Sequence, residues 1–197
     1  MQSRPDVSRE TWERLEAYIA LLRQWQPRIN LVGASTLPHL WHRHVMDSAQ
    51  LYDLLPPKTR SLADIGSGAG FPGMVLAIMG VPNVNLIESD QRKGAFLAAV
   101  AAETGVKIHL HMQRLEEMHP DFLPDVVTAR ALAPLPRLLG WLPEPWRRSS
   151  VLILPKGRDA DREIEEAGRE WRFDLGRTPS LSDPDATILR LTGVRHA

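Results

Sequence analysis

The sequence contains no cysteine. Disulfides, thiolate metal sites and a cysteine nucleophile are therefore excluded together. It also has no run of about 18 apolar residues, the length a membrane-spanning helix requires. The stretch MQSRPDVSRETWERLEAY carries no apolar signal-peptide core and enters a polar helix pattern directly. Net charge is missing as well, with 24 Lys and Arg against 24 Asp and Glu. That argues against a protein held to nucleic acid by bulk charge alone. Lysine is scarce, 4 residues against 20 Arg. The arginine fork suits phosphates and bases, but GC-rich coding produces the same skew, so it decides nothing. What remains is an ordinary soluble composition, 43% apolar and 24% charged over 197 residues. One domain with a modest extension fits that length, and a cytoplasmic location is expected.

The first 60 residues read as two helices. In SRETWERLEAYIALLRQW, Trp12, Leu15, Ile19 and Leu22 recur at helical spacing, Ser8 can cap, and Pro27 stops the pattern. In STLPHLWHRHVMDSAQLYDLL a second stripe runs through Leu37, Leu40, Val45, Ser48 and Leu51, closed by Pro56 and Pro57. From residue 61 the text alternates. SLADI, VNLIES, KIHLHM, DVVTA and SVLILP are short β-type apolar runs, separated by helical stretches that include PGMVLAIMG, QRKGAFLAAVAAETG and LPRLLGWLPEPW. Such alternation means a parallel sheet covered on both faces. RFDLGRT and ATILRLTG then follow with no helix between them, the pattern of an antiparallel edge hairpin. The expected architecture is α/β. Residues 1–60 form an N-terminal helical extension, and residues 61–197 a Rossmann-like domain with a mostly parallel seven-stranded sheet, the element order of class I S-adenosylmethionine-dependent methyltransferases.

The segment LADIGSGAGFPGMVLAI supports two ligand readings. Gly68, Gly70 and Gly73 satisfy the dinucleotide fingerprint G-x-G-x-x-G, whereas Asp64 with Gly66, Gly68 and Gly70 spells D-x-G-x-G-x-G, the methyl-donor loop. Both place glycines after the first strand, where an open α/β sheet binds ligands. Both also want an acid about 20 residues later for ribose hydroxyls, and Glu88 lies 22 residues after Gly66. Three features separate them. In the dinucleotide register Pro72 removes an N–H from the phosphate turn; in the methyl-donor register it sits at a helix start, where the missing N–H costs nothing. Asp64 has no task with a dinucleotide, whereas in the methyl-donor loop an acid there balances the ammonium group of S-adenosylmethionine, directly or through water. The terminal hairpin leaves no room for the substrate segment of a dehydrogenase. The methyl-donor reading is preferred, and an NAD(P)-binding oxidoreductase is the weaker alternative.

The sequence resembles the bacterial small-subunit ribosomal RNA methyltransferase G family (RsmG, also called GidB). The resemblance rests on NLVG at 30–33, RHVMDS at 43–48, DIGSGAGFPG at 64–73, IESDQRKGAFL at 87–97, LEE at 115–117, ARALAPL at 129–135 and LPKG at 154–157. The family often has Thr and Pro where Ser67 and Ala69 stand, and Asp where Glu88 stands. The resemblance implies S-adenosyl-L-methionine as cofactor, S-adenosyl-L-homocysteine as product and 7-methylguanosine in 16S rRNA as outcome. The partner would be 16S rRNA in the small ribosomal subunit or its assembly intermediate, met by a monomer that does not engage membranes. Asp64, Gly66, Gly68, Gly70, Phe71, Glu88, Leu115, Glu116 and Arg130 are then expected at the cofactor. The glycines would admit the methionine end, Glu88 the ribose hydroxyls, and Leu115 with Glu116 the adenine.

Arg130 follows DVVTA, where a target base must enter. Arginine often grips guanine at O6 and N7, but a guanidinium beside N7 would oppose the positive charge that methylation there develops. Arg130 is therefore expected on the donor's carboxylate or an RNA phosphate. His39, His42, His44 and Asp47 in PHLWHRHVMD lack metal-ligand spacing, and no metal is expected. Arg43 and His44 are expected to face the cleft, with Asp47 orienting His44, and Lys156 to meet phosphate. Arg130 and His44 are the two candidates for a catalytic role, although guanine N7 needs no general base: it offers an in-plane lone pair and has no proton to lose. The fourth strand lacks the [DN]-P-P-[FYW] motif of amine methyltransferases, which agrees with a ring-nitrogen target. A small-molecule methyltransferase with the N-terminal helices as a lid is the nearest competitor, and a donor-binding protein without turnover a further one.

Overall fold

The computed structural model describes residues 8–119 and 121–197; the first seven residues of the expected extension and Pro120 lie outside the described residues. Seven strands form one sheet in the order β3-β2-β1-β4-β5-β7-β6. They are β1 (Leu62–Ile65), β2 (Val84–Ile87), β3 (Ile108–His111), β4 (Val126–Thr128), β5 (Val151–Lys156), β6 (Trp171–Pro179) and β7 (Thr187–His196). The first five are parallel, and β7 runs antiparallel to both β5 and β6. Every residue of β1 and β2 is buried, as continuous apolar runs demand of strands covered on both faces. Strands β2 and β3 wind outward on one side of β1, whereas β4 and β5 wind outward on the other. The crevice beyond the ends of β1 and β4 is therefore the switch point at which such sheets take ligands.

The helices are α1 (Arg9–Trp25), α2 (Asp47–Ala49), α3 (Gly73–Ile78), α4 (Gln91–Thr104), α5 (Leu135–Trp141), α6 (Glu144–Ser149) and α7 (Ala160–Ala167). One core unites Leu15, Ile19 and Leu22 of α1 with Met74 and Leu76 of α3, Phe96 and Leu97 of α4, and Leu62 and Leu86 of the sheet. A second core, on the opposite sheet face, gathers Leu135, Leu138, Leu139, Trp146 and Ala167. The helical extension is thus built into the first core. Ser8 caps α1, its side chain accepting from the Thr11 N–H at 3.1 Å.

Two helical stretches differ from expectation. The second N-terminal helix is a chain of unlike turns: 3₁₀ over Ala34–His39, π over Trp41–Met46, the short α2, then 3₁₀ over Gln50–Leu54. Pro38 sits in the first turn, and the Arg43 carbonyl, in the π turn, accepts from Arg130 at 3.2 Å. Wide turns of this kind recur at functional sites. The stretch LPRLLGWLPEPW splits because Leu142, directly before Pro143, adopts an extended backbone (ψ 134°).

Tyr18 joins the extension to the sheet. Its side chain has no exposed surface, its hydroxyl donates to the Ala69 carbonyl in the glycine loop, and its ring stacks on Phe71 at 5.2 Å. Burial holds the phenol well above its ordinary pKa, so it stays a donor. Tyr18→Phe strips Ala69 of its partner and is expected to cost about 1–3 kcal/mol, the penalty of a buried orphaned carbonyl. Urea unfolding measures this, and an unchanged midpoint would show that α1 is not anchored through this bond.

Candidate functional site

The crevice is shaped from beneath by Asp64. This carboxylate in β1 is wholly buried. One oxygen accepts from the Thr128 hydroxyl of β4 at 2.8 Å, and the other from the Gly73 N–H at the start of α3, at 3.2 Å. Strand, neighbouring strand and helix N-terminus are thereby joined at one group, with negative charge at the positive end of the helix. Burial lifts its pKa to about 6, opposed by the bonds from Thr128, Ser67 and Gly73. Asp64 is not among the residues lining the cavity; its two oxygens accept from Thr128 and Gly73 and so shape the loop from behind.

The loop it anchors turns sharply, with φ of +63° at Gly66, +58° at Gly68 and +97° at Gly70. At Gly66 a Cβ would also lie 2.5 Å from a Leu132 methyl, and at Gly70 it would lie 2.8 Å from Met74 Cβ and 2.9 Å from the Tyr18 hydroxyl. No other residue type fits these two positions without movement. Pro72 immediately precedes Gly73, the first residue of α3, the placement expected of the methyl-donor register.

Above the loop opens a cavity of about 970 Å³. Gly66, Gly68, Phe71, Glu88, Leu115, Glu116 and Arg130 line it together with Arg43, His44 and Lys156, whereas Asp64 and Gly70 lie behind the wall. Glu88, at the end of β2, accepts from the Gly68 N–H at 2.7 Å with one oxygen and from the Asp90 N–H at 2.8 Å with the other. A carboxylate has about four acceptor sites, so half remain for hydroxyl donors in the cavity. Leu115 opens a 3₁₀ turn (Leu115–Glu117) after β3 and is buried apart from its cavity face.

Arg130, just past β4, is held from several directions. Its Nη2 lies 2.8 Å from His44 Nδ1, its Nη1 lies 3.2 Å from Asp47 Oδ2, and the guanidinium stands 5.2 Å from the centre of the Phe71 ring. The His44 ring stacks on the same Phe71 at 4.9 Å, and its Nε2 lies 2.8 Å from the Thr36 hydroxyl. Burial, then the Arg130 charge, lowers the His44 pKa to about 4. Asp47 was expected to orient His44; the structure gives it Arg130, Gln50 and Ser182 as partners instead. The reason is reach: with Nδ1 turned to Arg130 and Nε2 to Thr36, no ring nitrogen is left for Asp47.

Two basic residues, Arg43 expected to face the cleft and Lys156 expected to meet phosphate, are already paired. Arg43 at the cavity mouth meets Asp183 at 2.7 Å. Lys156 is tied to Glu163 at 2.7 Å and donates to the Ala133 carbonyl at 2.9 Å, with only 9% of its side chain exposed. Lys156 is therefore a structural ammonium as much as a wall group. Thr36, Ser182, Asp183 and Glu163 escaped sequence reasoning, because each lies in a segment without a motif and matters only through a distant partner. Among the described residues no three His, Asp or Glu side chains converge as a metal set, and no helix is long and apolar enough to cross a membrane.

Comparison with known proteins agrees with this geometry. A family model described as rRNA small subunit methyltransferase G matches residues 11–187. The protein of Rhodospirillum rubrum named ribosomal RNA small subunit methyltransferase G is 52% identical over 191 residues, covering 97% of this chain and 94% of its own. The protein of the same name from Paramagnetospirillum magneticum is 50% identical over 188 residues, covering 95% of this chain and 91% of its own. Among solved structures, the O-methyltransferase TomG of Streptomyces achromogenes in complex with SAM overlays with a TM-score of 0.57 at 15% identity, over 91% of this chain and 89% of that one. The glycopeptide N-methyltransferase MtfA, complexed with S-adenosyl-L-methionine, gives 0.64 at 10% identity, over 76% of this chain and 93% of that one. The two structures share the fold.

The Lys156–Glu163 pair has a measurable consequence. Lys156→Ala leaves Glu163 nearly buried without its cation, and is expected to destabilise the fold by about 3–5 kcal/mol. Denaturant unfolding of this variant reads the loss, and a change below about 0.5 kcal/mol would show that Lys156 behaves as a solvated surface residue.

Proposed function

This chain belongs to the rRNA small subunit methyltransferase G family, and from that premise we propose that it methylates N7 of a guanosine in 16S ribosomal RNA, with S-adenosyl-L-methionine as donor. The observation that carries the donor site is the Glu88 carboxylate, locked by the Gly68 N–H at 2.7 Å onto the wall of the cavity above the glycine loop. Its free lone pairs fit paired ribose hydroxyls. Leu115 supplies an apolar wall for adenine, and a Cβ on Gly68 would meet nothing closer than 3.8 Å, so room remains beside the loop for the methionine end. The residues present fit the cofactor. When bound, the donor supplies an electrophilic methyl group on a sulfonium sulfur.

The chain's own groups then orient and shield. Arg130, gripped by Asp47, the Arg43 carbonyl and His44, presents a fixed positive charge where donor and target pockets meet, suited to the donor's carboxylate or an RNA phosphate. We place it on the carboxylate. Arg43 and Asp183 guard the mouth, and a phosphate approaching there competes with Asp183 for Arg43. Guanine N7 has no proton to lose, so the site needs alignment and preorganised charge and no base. The His44 ring agrees, since both nitrogens are occupied and its pKa of about 4 keeps it neutral. The described part of the extension, residues 8–60, supplies Arg43, His44 and Asp47 to the 61–197 domain. The reading places the enzyme in the bacterial cytoplasm as a monomer.

The direct test incubates the chain with methyl-labelled donor and either small ribosomal subunits, deproteinised 16S rRNA or a metabolite extract. Nucleoside analysis by mass spectrometry should find the label in 7-methylguanosine. Label in another nucleoside would overturn the N7 assignment, and label only in the metabolite extract would overturn the RNA substrate.

Glu88→Ala should weaken donor binding by about 10- to 150-fold, the worth of about 1.5–3 kcal/mol in charge-assisted hydrogen bonds. Calorimetric titration with S-adenosyl-L-homocysteine measures it, and unchanged affinity would remove Glu88 from the donor site. The single-turnover rate should be flat between about pH 7 and 9, then fall on acidification as Asp64 takes up a proton near pH 6 and again toward pH 4, where His44 gains a proton beside Arg130. A limb centred near 7 would instead reveal a general base.

A further inference from the structure

The hydrogen bonds around His44 have a direction that follows from donor chemistry. A guanidinium has only donors, so His44 Nδ1, 2.8 Å from Arg130 Nη2, must be the unprotonated, accepting nitrogen. A neutral imidazole then carries its proton on Nε2, which lies 2.8 Å from the Thr36 hydroxyl oxygen. The Thr36 hydroxyl in turn donates to the Gly33 carbonyl at 2.7 Å, leaving its lone pairs for Nε2–H. The chain runs one way, from Arg130 to His44 to Thr36 to Gly33. It cannot reverse, because the guanidinium cannot accept.

We propose that Thr36 and His44 form a tautomer lock that aims the Arg130 guanidinium into the cavity, with Thr36 as a positioning residue acting through the imidazole. This rests on the reading of Arg130 as a donor- or RNA-binding group. The Phe71 face fixes the ring plane, 4.9 Å away and inclined by 27°. Asp47 and the Arg43 carbonyl hold the other guanidinium nitrogen, Nη1, each at 3.2 Å. Asp47 cannot swing away to serve the ring, since Ser182 and Gln50 bond its second oxygen. The charges facing His44 are Arg130, Arg43 and Asp47, with Asp183 neutralising Arg43. Without the Thr36 hydroxyl only Arg130 favours the Nε2–H form, whose proton then has no acceptor, and the alternative tautomer gains population, turning an N–H toward Arg130 and pushing the guanidinium out of line.

Two variants at each position separate the lock from general-base or purely structural roles. Thr36→Ser keeps the hydroxyl; Thr36→Val keeps the shape and loses it. His44→Asn sets an amide oxygen where Nδ1 stood and still accepts from Arg130, whereas His44→Gln places its amide at the Nε2 position and leaves Arg130 without an acceptor. Single-turnover methyl transfer to small-subunit rRNA should stay within a few-fold of wild type for Thr36→Ser and His44→Asn. It should slow by roughly 10-fold or more for Thr36→Val and His44→Gln, the effect of losing one charge-assisted bond. Long-range proton–nitrogen spectra of histidine-labelled protein should show wild-type His44 protonated on Nε2 alone, and a shift toward the Nδ1–H form in Thr36→Val. An Nδ1–H wild-type ring, equal rates for Thr36→Val and Thr36→Ser, or a His44→Asn rate as low as that of His44→Ala would overturn the lock. Absence of transfer by the wild-type chain would overturn the proposed function instead, with the tautomer spectrum still supporting the lock.

Discussion

The buried Asp64 carboxylate is the constraint on which the site depends. It is placed by β1, flanked by β2 and β4 in a sheet covered on both faces, and its charge is satisfied inside the protein by Thr128 and Gly73. An isolated carboxylate in such a place would be costly; hydrogen bonds from a hydroxyl and a helix N-terminus offset that cost. Because those partners belong to β4 and α3, the ends of three elements are brought to one point. The glycine loop has only the space between them, and its positive φ angles follow from spanning it. Glu88 then meets Gly68 from the neighbouring strand, and the cavity wall is complete on that side.

The opposite wall is assembled from segments far apart in the chain. The N-terminal extension brings Thr36, Arg43, His44 and Asp47, the segment just past β4 brings Arg130, and the turn between β6 and β7 delivers Ser182 and Asp183. Tyr18 secures this arrangement from behind by anchoring α1 to the glycine loop. Loss of order in the extension therefore disturbs Arg130 directly, although they are distant in sequence. A site built this way holds its cation rigidly, which is what a reaction governed by alignment requires.

Much of this was legible in the residues. The strand runs, the edge hairpin and the glycine turn are written in local periodicity and in φ requirements, and the structure contains all of them. Glu88, Leu115, Glu116 and Arg130 were expected at one site, and they line one cavity. What was not legible depends on direction and distance. The position of Asp64 could be read, but in a strand buried on both faces nothing in the pattern says toward which partner the carboxylate turns. Apolar spacing does not separate α from 3₁₀ and π turns, so the second helical stretch was read as continuous. Lys156 looked free because Glu163, seven positions later, becomes its neighbour only when α7 folds back beside β5. Thr36, Ser182 and Asp183 carry no local signal at all. The family model and the relatives of about half-identical sequence supply what geometry alone cannot: small-subunit rRNA as the substrate class.

The most direct measurement is a crystal structure of the chain with S-adenosyl-L-homocysteine. The account predicts both ribose hydroxyls on the Glu88 carboxylate, adenine against Leu115, the amino-acid end beside Gly66 and Gly68, and its carboxylate within reach of Arg130. A product molecule lying the other way round, with its carboxylate at Glu88, or seated outside the cavity, would contradict it.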